Sequence, residues 1–200
     1  MICRLAPVTL CLFLLTTGSA FAHVGLGQIE TFQTGFFHPL SGLDHVLAMV
    51  AVGLYAASLG GAALWLVPCA FVGTMIVGGL LGYGGIPFHL VEQVIGLSVV
   101  VMGLATAFGV RLPVVAAMGL VGLFALFHGH AHGCEGAALA LFLPYAAGFI
   151  IATLALHLAG IGLGFGLNWL SLTHADYLRR AAGAAGALAG VSLLLGWLTV

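Results

Sequence analysis

Three side chains that bind divalent metals fall within eight residues, His38-Pro39-Leu40-Ser41-Gly42-Leu43-Asp44-His45, at the start of a long apolar segment. Two further groups carry the same chemistry. His89 and Glu92 are three residues apart, hence neighbours on one helical face. His128 and His132 are four apart and can chelate one ion, with His130 pointing elsewhere unless Gly129 and Gly133 unwind the turn. Glu135 returns towards the His128 face only if the helix continues past these glycines. Imidazole and carboxylate ligands with few thiolates suit Ni²⁺, Co²⁺ or Zn²⁺ better than Cu(I) or Mg²⁺.

The elements that must position these residues are apolar helices. The chain is 62% hydrophobic and 4% charged, with a mean hydropathy of +1.26, which marks an integral membrane protein with no room for a large extramembrane domain. It contains no lysine, so it cannot carry a Walker A phosphate loop, and its near-neutral charge gives no indication of nucleic-acid binding. Arg4, the apolar run Val8 to Leu15 and Ala20-Phe21-Ala22 read as a cleavable signal peptide over 1–22. Cleavage would expose His23, whose amine and imidazole could bind a metal, and would remove Cys3 and Cys11. Cys69 and Cys134 would remain, near opposite membrane faces, with no disulfide expected between them.

Residues 23–200 then form a single domain, an all-α bundle of six transmembrane helices near 38–58, 62–83, 87–108, 112–130, 137–163 and 178–199. Small-xxx-small spacings, such as Gly78 with Gly82 and Ala182 with Gly186 and Gly190, suit close helix approach in lipid. Pro39 fits the first turn of the first helix, leaving His38 just outside it. On a continuous helix His38 and His45 would share a face roughly 10 Å apart, too far for both to grip one ion, so they read as two rungs of a path.

With a periplasmic N-terminus and alternating spans, all four arginines fall on the cytoplasmic side, in agreement with the positive-inside rule. Most of the histidines and acids then converge on the opposite face, and carboxylates in or beside spans usually mark a pathway or site. His157 is placed near the inner end of the fifth helix, with His174 and Asp176 in the inner loop, and ordinary solvated or interhelical roles are favoured for them over an exit site. In a structure, Asp44 and His45 should face His128, His132 or Glu92 across a polar cavity.

The pattern His38-Pro39-x-x-Gly42-x-Asp44-His45-x-Leu47-Ala48-Met49, followed by Phe127-His128-Gly129-x-Ala131-His132-Gly133-x-Glu135, closely resembles the HupE/UreJ family of hydrogenase and urease accessory proteins. The resemblance covers nearly the whole mature chain. It implies a nickel permease of the bacterial inner membrane, not an enzyme, in which His38, Asp44, His45, His128, His132 and Glu135 match the functional positions. It also implies a hydrogenase or urease maturation system as client, with Ni²⁺ as transported ion and no prosthetic group; a homo-oligomer is left open. Two rivals stand beside it: an intramembrane zinc hydrolase, for which the sequence lacks His-Glu-x-x-His, and a periplasm-facing metal receptor that does not transport.

Overall fold

Residues 31–134, 139–170 and 174–196 are described by a computed structural model, and every regular element among them is a helix. These are α1 (Phe32–Ser41), α2 (Leu43–Leu59), α3 (Ala63–Tyr83), α4 (Val91–Ala107), α5 (Val114–Cys134), α6 (Leu139–Leu170) and α7 (Ala175–Leu194). The expected signal peptide, His23 and Glu135 lie outside the described residues. Three helices, Ala63–Tyr83, Val114–Cys134 and the Phe142–Leu167 portion of α6, are long and apolar enough to cross a membrane, and α1 with α2 adds a fourth if the bent pair is one span. The 17 residues of α4 make a shorter apolar helix, about 25 Å long at 1.5 Å per residue.

The segment expected as one helix from 38 to 58 is two. α1 begins before His38, at a capping box in which the Thr31 hydroxyl accepts from the Thr34 N–H while the Thr34 hydroxyl accepts from the Thr31 N–H. Pro39 therefore lies in the last turn of α1 rather than in a first turn. Gly42, with φ −85° and ψ 120°, then leaves helical geometry for one residue, and α2 departs at 81° to α1. Ser41 closes α1 by donating its hydroxyl to the His38 carbonyl, and the Gly42 N–H donates to the same oxygen.

Glycines set how closely the helices approach. A methyl group at Gly129 of α5 would be driven into the Met75 carbonyl of α3, and one at Gly78 of α3 into the Leu126 carbonyl of α5. Gly82 and Gly133 repeat the relation one turn on. Gly35 with Gly148 joins α1 to α6, Gly53 with Gly160 joins α2 to α6, and Gly103 with Gly183 joins α4 to α7. Among the positions anticipated in α7, Gly190 does pack on α4, against Val99 and Val100, whereas a methyl at Gly186 meets nothing within 4 Å. Because backbone cannot yield as a side-chain tip does, Gly129→Ala is expected to lower stability by about 1–3 kcal/mol, read as a fall in Tm of the detergent-purified protein. Gly119→Ala, which also meets nothing within 4 Å, should leave Tm unchanged.

These crossings bury Met49, Tyr55, Val67, Phe71, Met75, Met102 and Val121 in one core. They also sort charge to the two ends of the bundle. Arg111, Arg179 and Arg180 line one small cavity with Asp176 and Ser58, and Arg179 pairs with Asp176. Asp176 thus sits in the first turn of α7 rather than in a loop. Ser58 lies thirteen residues beyond His45 on α2, so the arginine end is about 20 Å from the histidine end. Cys69 and Cys134 are both free thiols.

Candidate metal centre

The bend at Gly42 reverses what a straight helix would do to His38 and His45. Their ring centroids are 5.7 Å apart, and His132 reaches in from α5 to lie 4.6 Å from His38 and 4.8 Å from His45. One ring nitrogen from each of the three residues lies within 4.8 Å of the others. His38 and His45 are therefore not two rungs separated by two helical turns; they belong to one cluster. The cause is the 81° break, which swings the end of α1 back over the start of α2.

Asp44 fixes the chemistry of this cluster. Its Oδ1 accepts from the His45 Nδ1–H at 2.7 Å, which leaves Nε2 of His45 as a lone pair. That Nε2 lies 2.6 Å from Nε2 of His132, so one proton is shared between two imidazoles. A metal with nitrogen ligands at roughly 2.0–2.1 Å holds them about 3 Å apart, so modest opening of this contact with loss of the proton creates the site. Asp44, His45 and His132 are all buried, while His38 is partly exposed and forms the outer side. Phe149 of α6 packs 4.6 Å from the His132 ring and 5.9 Å from His38, and Tyr145 lies 6.0 Å from His38. Beside a cavity of about 270 Å³ that His132 also lines, Phe149 and Tyr145 form an aromatic wall. It escapes sequence reading because an aromatic pair at i, i+4 in an apolar helix looks like ordinary core.

Asp44 also faces a second cavity of about 130 Å³, shared with Glu92, Gln93 and the end of α7 at Leu193 and Leu194. Glu92 thus shares with the cluster's orienting carboxylate the cavity on the side away from His45. Glu92 is in the first turn of α4, but His89 precedes that helix and is exposed, so the two are not neighbours on one helical face as their spacing implied. The intervening Leu90 has φ 59°, a left-handed conformation that costs a leucine about 1–2 kcal/mol.

The remaining α5 histidines diverge. His128, wholly buried, donates Nδ1–H to the Phe124 carbonyl at 3.0 Å and lies 5.8 Å from the His45 ring. His130 points away: it stacks on Phe88 at 4.1 Å and meets the Ile86 carbonyl at 2.6 Å, pinning the connection between α3 and α4. Its turn does not unwind, because α5 remains helical through Cys134. His157 is interior to the 32-residue α6 and 1% exposed, so of the solvated and interhelical roles expected for it the solvated one is excluded.

The family model described as HupE / UreJ protein matches residues 11–193 of the chain. Protein HupE of Rhizobium leguminosarum bv. viciae is 49% identical over 180 residues, covering 88% of this chain and 91% of that protein. No solved structure matches the chain.

Proposed function

Because the chain belongs to the HupE/UreJ family, we propose that it is a permease carrying a divalent transition metal, Ni²⁺ foremost, from periplasm to cytoplasm for a hydrogenase or urease maturation system. The observation that carries this reading is the convergence of His38, His45 and His132, with Asp44 orienting His45, at the end of the bundle opposite the arginines. The membrane is crossed six times in this reading, by α1 with α2 together and by each of α3 to α7. The arginine end faces the cytoplasm, as the positive-inside rule favours.

Transport proceeds by ligand exchange. His38, at the partly exposed side, takes a hydrated ion and passes it to the buried His45 and His132 nitrogens, while Asp44 and Glu92 offset its charge. Three neutral nitrogens make a site open enough to release its cargo, whereas a closed four-ligand cage would retain it. Glu135, in the same motif, is proposed as a further ligand from the family pattern.

Purified protein in liposomes is expected to admit Ni²⁺ down its concentration gradient, with Co²⁺ and Zn²⁺ as competitors, and empty liposomes to admit none. A protein that binds metal and shows no flux would instead be a receptor, and release of product from a lipid or peptide would identify a hydrolase. Binding is expected to weaken on acidification, since protons compete with the metal for the same ring nitrogens. Equilibrium binding measured over a series of falling pH checks this, and strengthening of binding on acidification would count against histidine ligands.

A further inference from the structure

Below the three-histidine cluster, two more imidazoles lie in the interior with nitrogens that no protein group satisfies. In His128 the Nδ1–H is committed to the Phe124 carbonyl, so Nε2 is a lone pair, and it has no hydrogen-bond partner. In His157 neither Nδ1 nor Nε2 has one. Leaving a buried polar group unpaired is destabilising, and an apolar residue of similar size would avoid that cost. Both rings rest on the same side chain: Phe71 of α3 lies 5.6 Å from His128 and 4.9 Å from His157.

Their depth follows from the helices that carry them. His128 is one turn of α5 beyond His132, about 6 Å further into the bundle. On α6, Phe149 marks the level of the cluster by its contact with His132, and His157 lies eight residues on, about 12 Å deeper. One turn before His157, the buried Thr153 donates its hydroxyl to the thioether sulfur of Met75 at 3.9 Å. This contact places one oxygen and one sulfur, both weak ligands, near one turn before His157. Position 157 is held rigidly, because the α2–α6 crossing brings Gly53 against the His157 carbonyl.

We infer that His128 and His157, both packed against Phe71, form an inner relay that takes the metal from the His38, His45 and His132 cluster towards the arginine end. The inference rests on the permease reading above and adds to it a site on α6. Each step exchanges one neutral imidazole for another: a nitrogen lone pair bonds to the ion as the ligand behind it leaves, with no change of oxidation state, and the ion carries its two positive charges with it. His157 keeps one ring N–H throughout and offers its other nitrogen. Two spaced nitrogens with only weak auxiliary ligands give a shallow site, which is what onward passage requires.

The experiment compares the wild-type protein with His157→Leu and His157→Cys in liposomes, with Ni²⁺ and Zn²⁺ flux and equilibrium Ni²⁺ binding measured on each. His157→Leu is expected to bind Ni²⁺ at the outer cluster within about threefold of wild type and to lose about tenfold or more in flux. His157→Cys is expected to recover flux with the Zn²⁺ to Ni²⁺ ratio raised severalfold, because a thiolate selects zinc. Wild-type flux in His157→Leu would overturn the relay, as would equal loss in both variants with an unchanged metal ratio, the signature of a packing role. Absence of flux in the wild-type protein would instead overturn the permease reading itself, and that result is seen before any variant is compared.

Discussion

His45→Ala is expected to weaken Ni²⁺ binding by about 100-fold or more and to reduce uptake to the level of empty liposomes. His45 is the centre of the cluster: one nitrogen faces Asp44 and the other faces His132. Removing it separates the orienting carboxylate from the metal and leaves only His38 and His132, 4.6 Å apart, as imidazole ligands. Asp44→Asn provides the graded comparison. The asparagine carbonyl still accepts the Nδ1–H, so the ligand keeps its tautomer but loses the neighbouring charge, and the expected loss is about 10–100-fold. A His45→Ala protein that binds and transports as wild type would exclude the cluster from the metal path.

Gly42→Ala is expected to be nearly as damaging to binding, although the residue touches no metal. Its φ of −85° is open to alanine, so backbone strain plays no part. The obstacle is that an added methyl would lie 2.8 Å from Oδ1 of Asp44 and 2.8 Å from Nδ1 of His45. Those two atoms are bonded to each other over the glycine, so the methyl must push the pair apart or rotate it. A loss of about 10–100-fold in Ni²⁺ affinity is expected, as for other disruptions of a ligand's hydrogen-bonded support. Gly73→Ala, which meets nothing within 4 Å, is the control that should retain wild-type affinity and Tm. Equal affinities in the two variants would show that the Asp44–His45 pair does not orient the site.

The acidic cavity adjoining Asp44 explains why the cluster need not be a sealed chelate. Glu92 reaches that cavity from α4 and Asp44 from α2, so negative charge is available to an approaching cation before all three imidazoles engage. In the expectation from sequence, Asp44 and His45 would meet His128, His132 or Glu92 across a polar space; Asp44 shares its cavity with Glu92, while His45 meets His128 and His132 in direct ring contact.

The residue types by themselves determined the class of molecule. A chain this apolar and this poor in charge must satisfy its backbone within helices, and the family motif marks His38, Asp44, His45, His128 and His132. Charge sorting was also legible, because alternation of apolar segments fixes which ends are shared. Which ligands meet was decided only in three dimensions. Helical periodicity is local, and it put His38 and His45 two turns apart; a single extended residue at Gly42 undid that relation by turning α1 through 81°. The aromatic wall of Phe149 and Tyr145, the divergence of His130 towards Phe88, and the burial of His157 likewise depend on how glycine-mediated crossings register one helix against another. Spacing along one helix constrains direction only within that helix, whereas a metal site is assembled from several, and their relative register is set by packing.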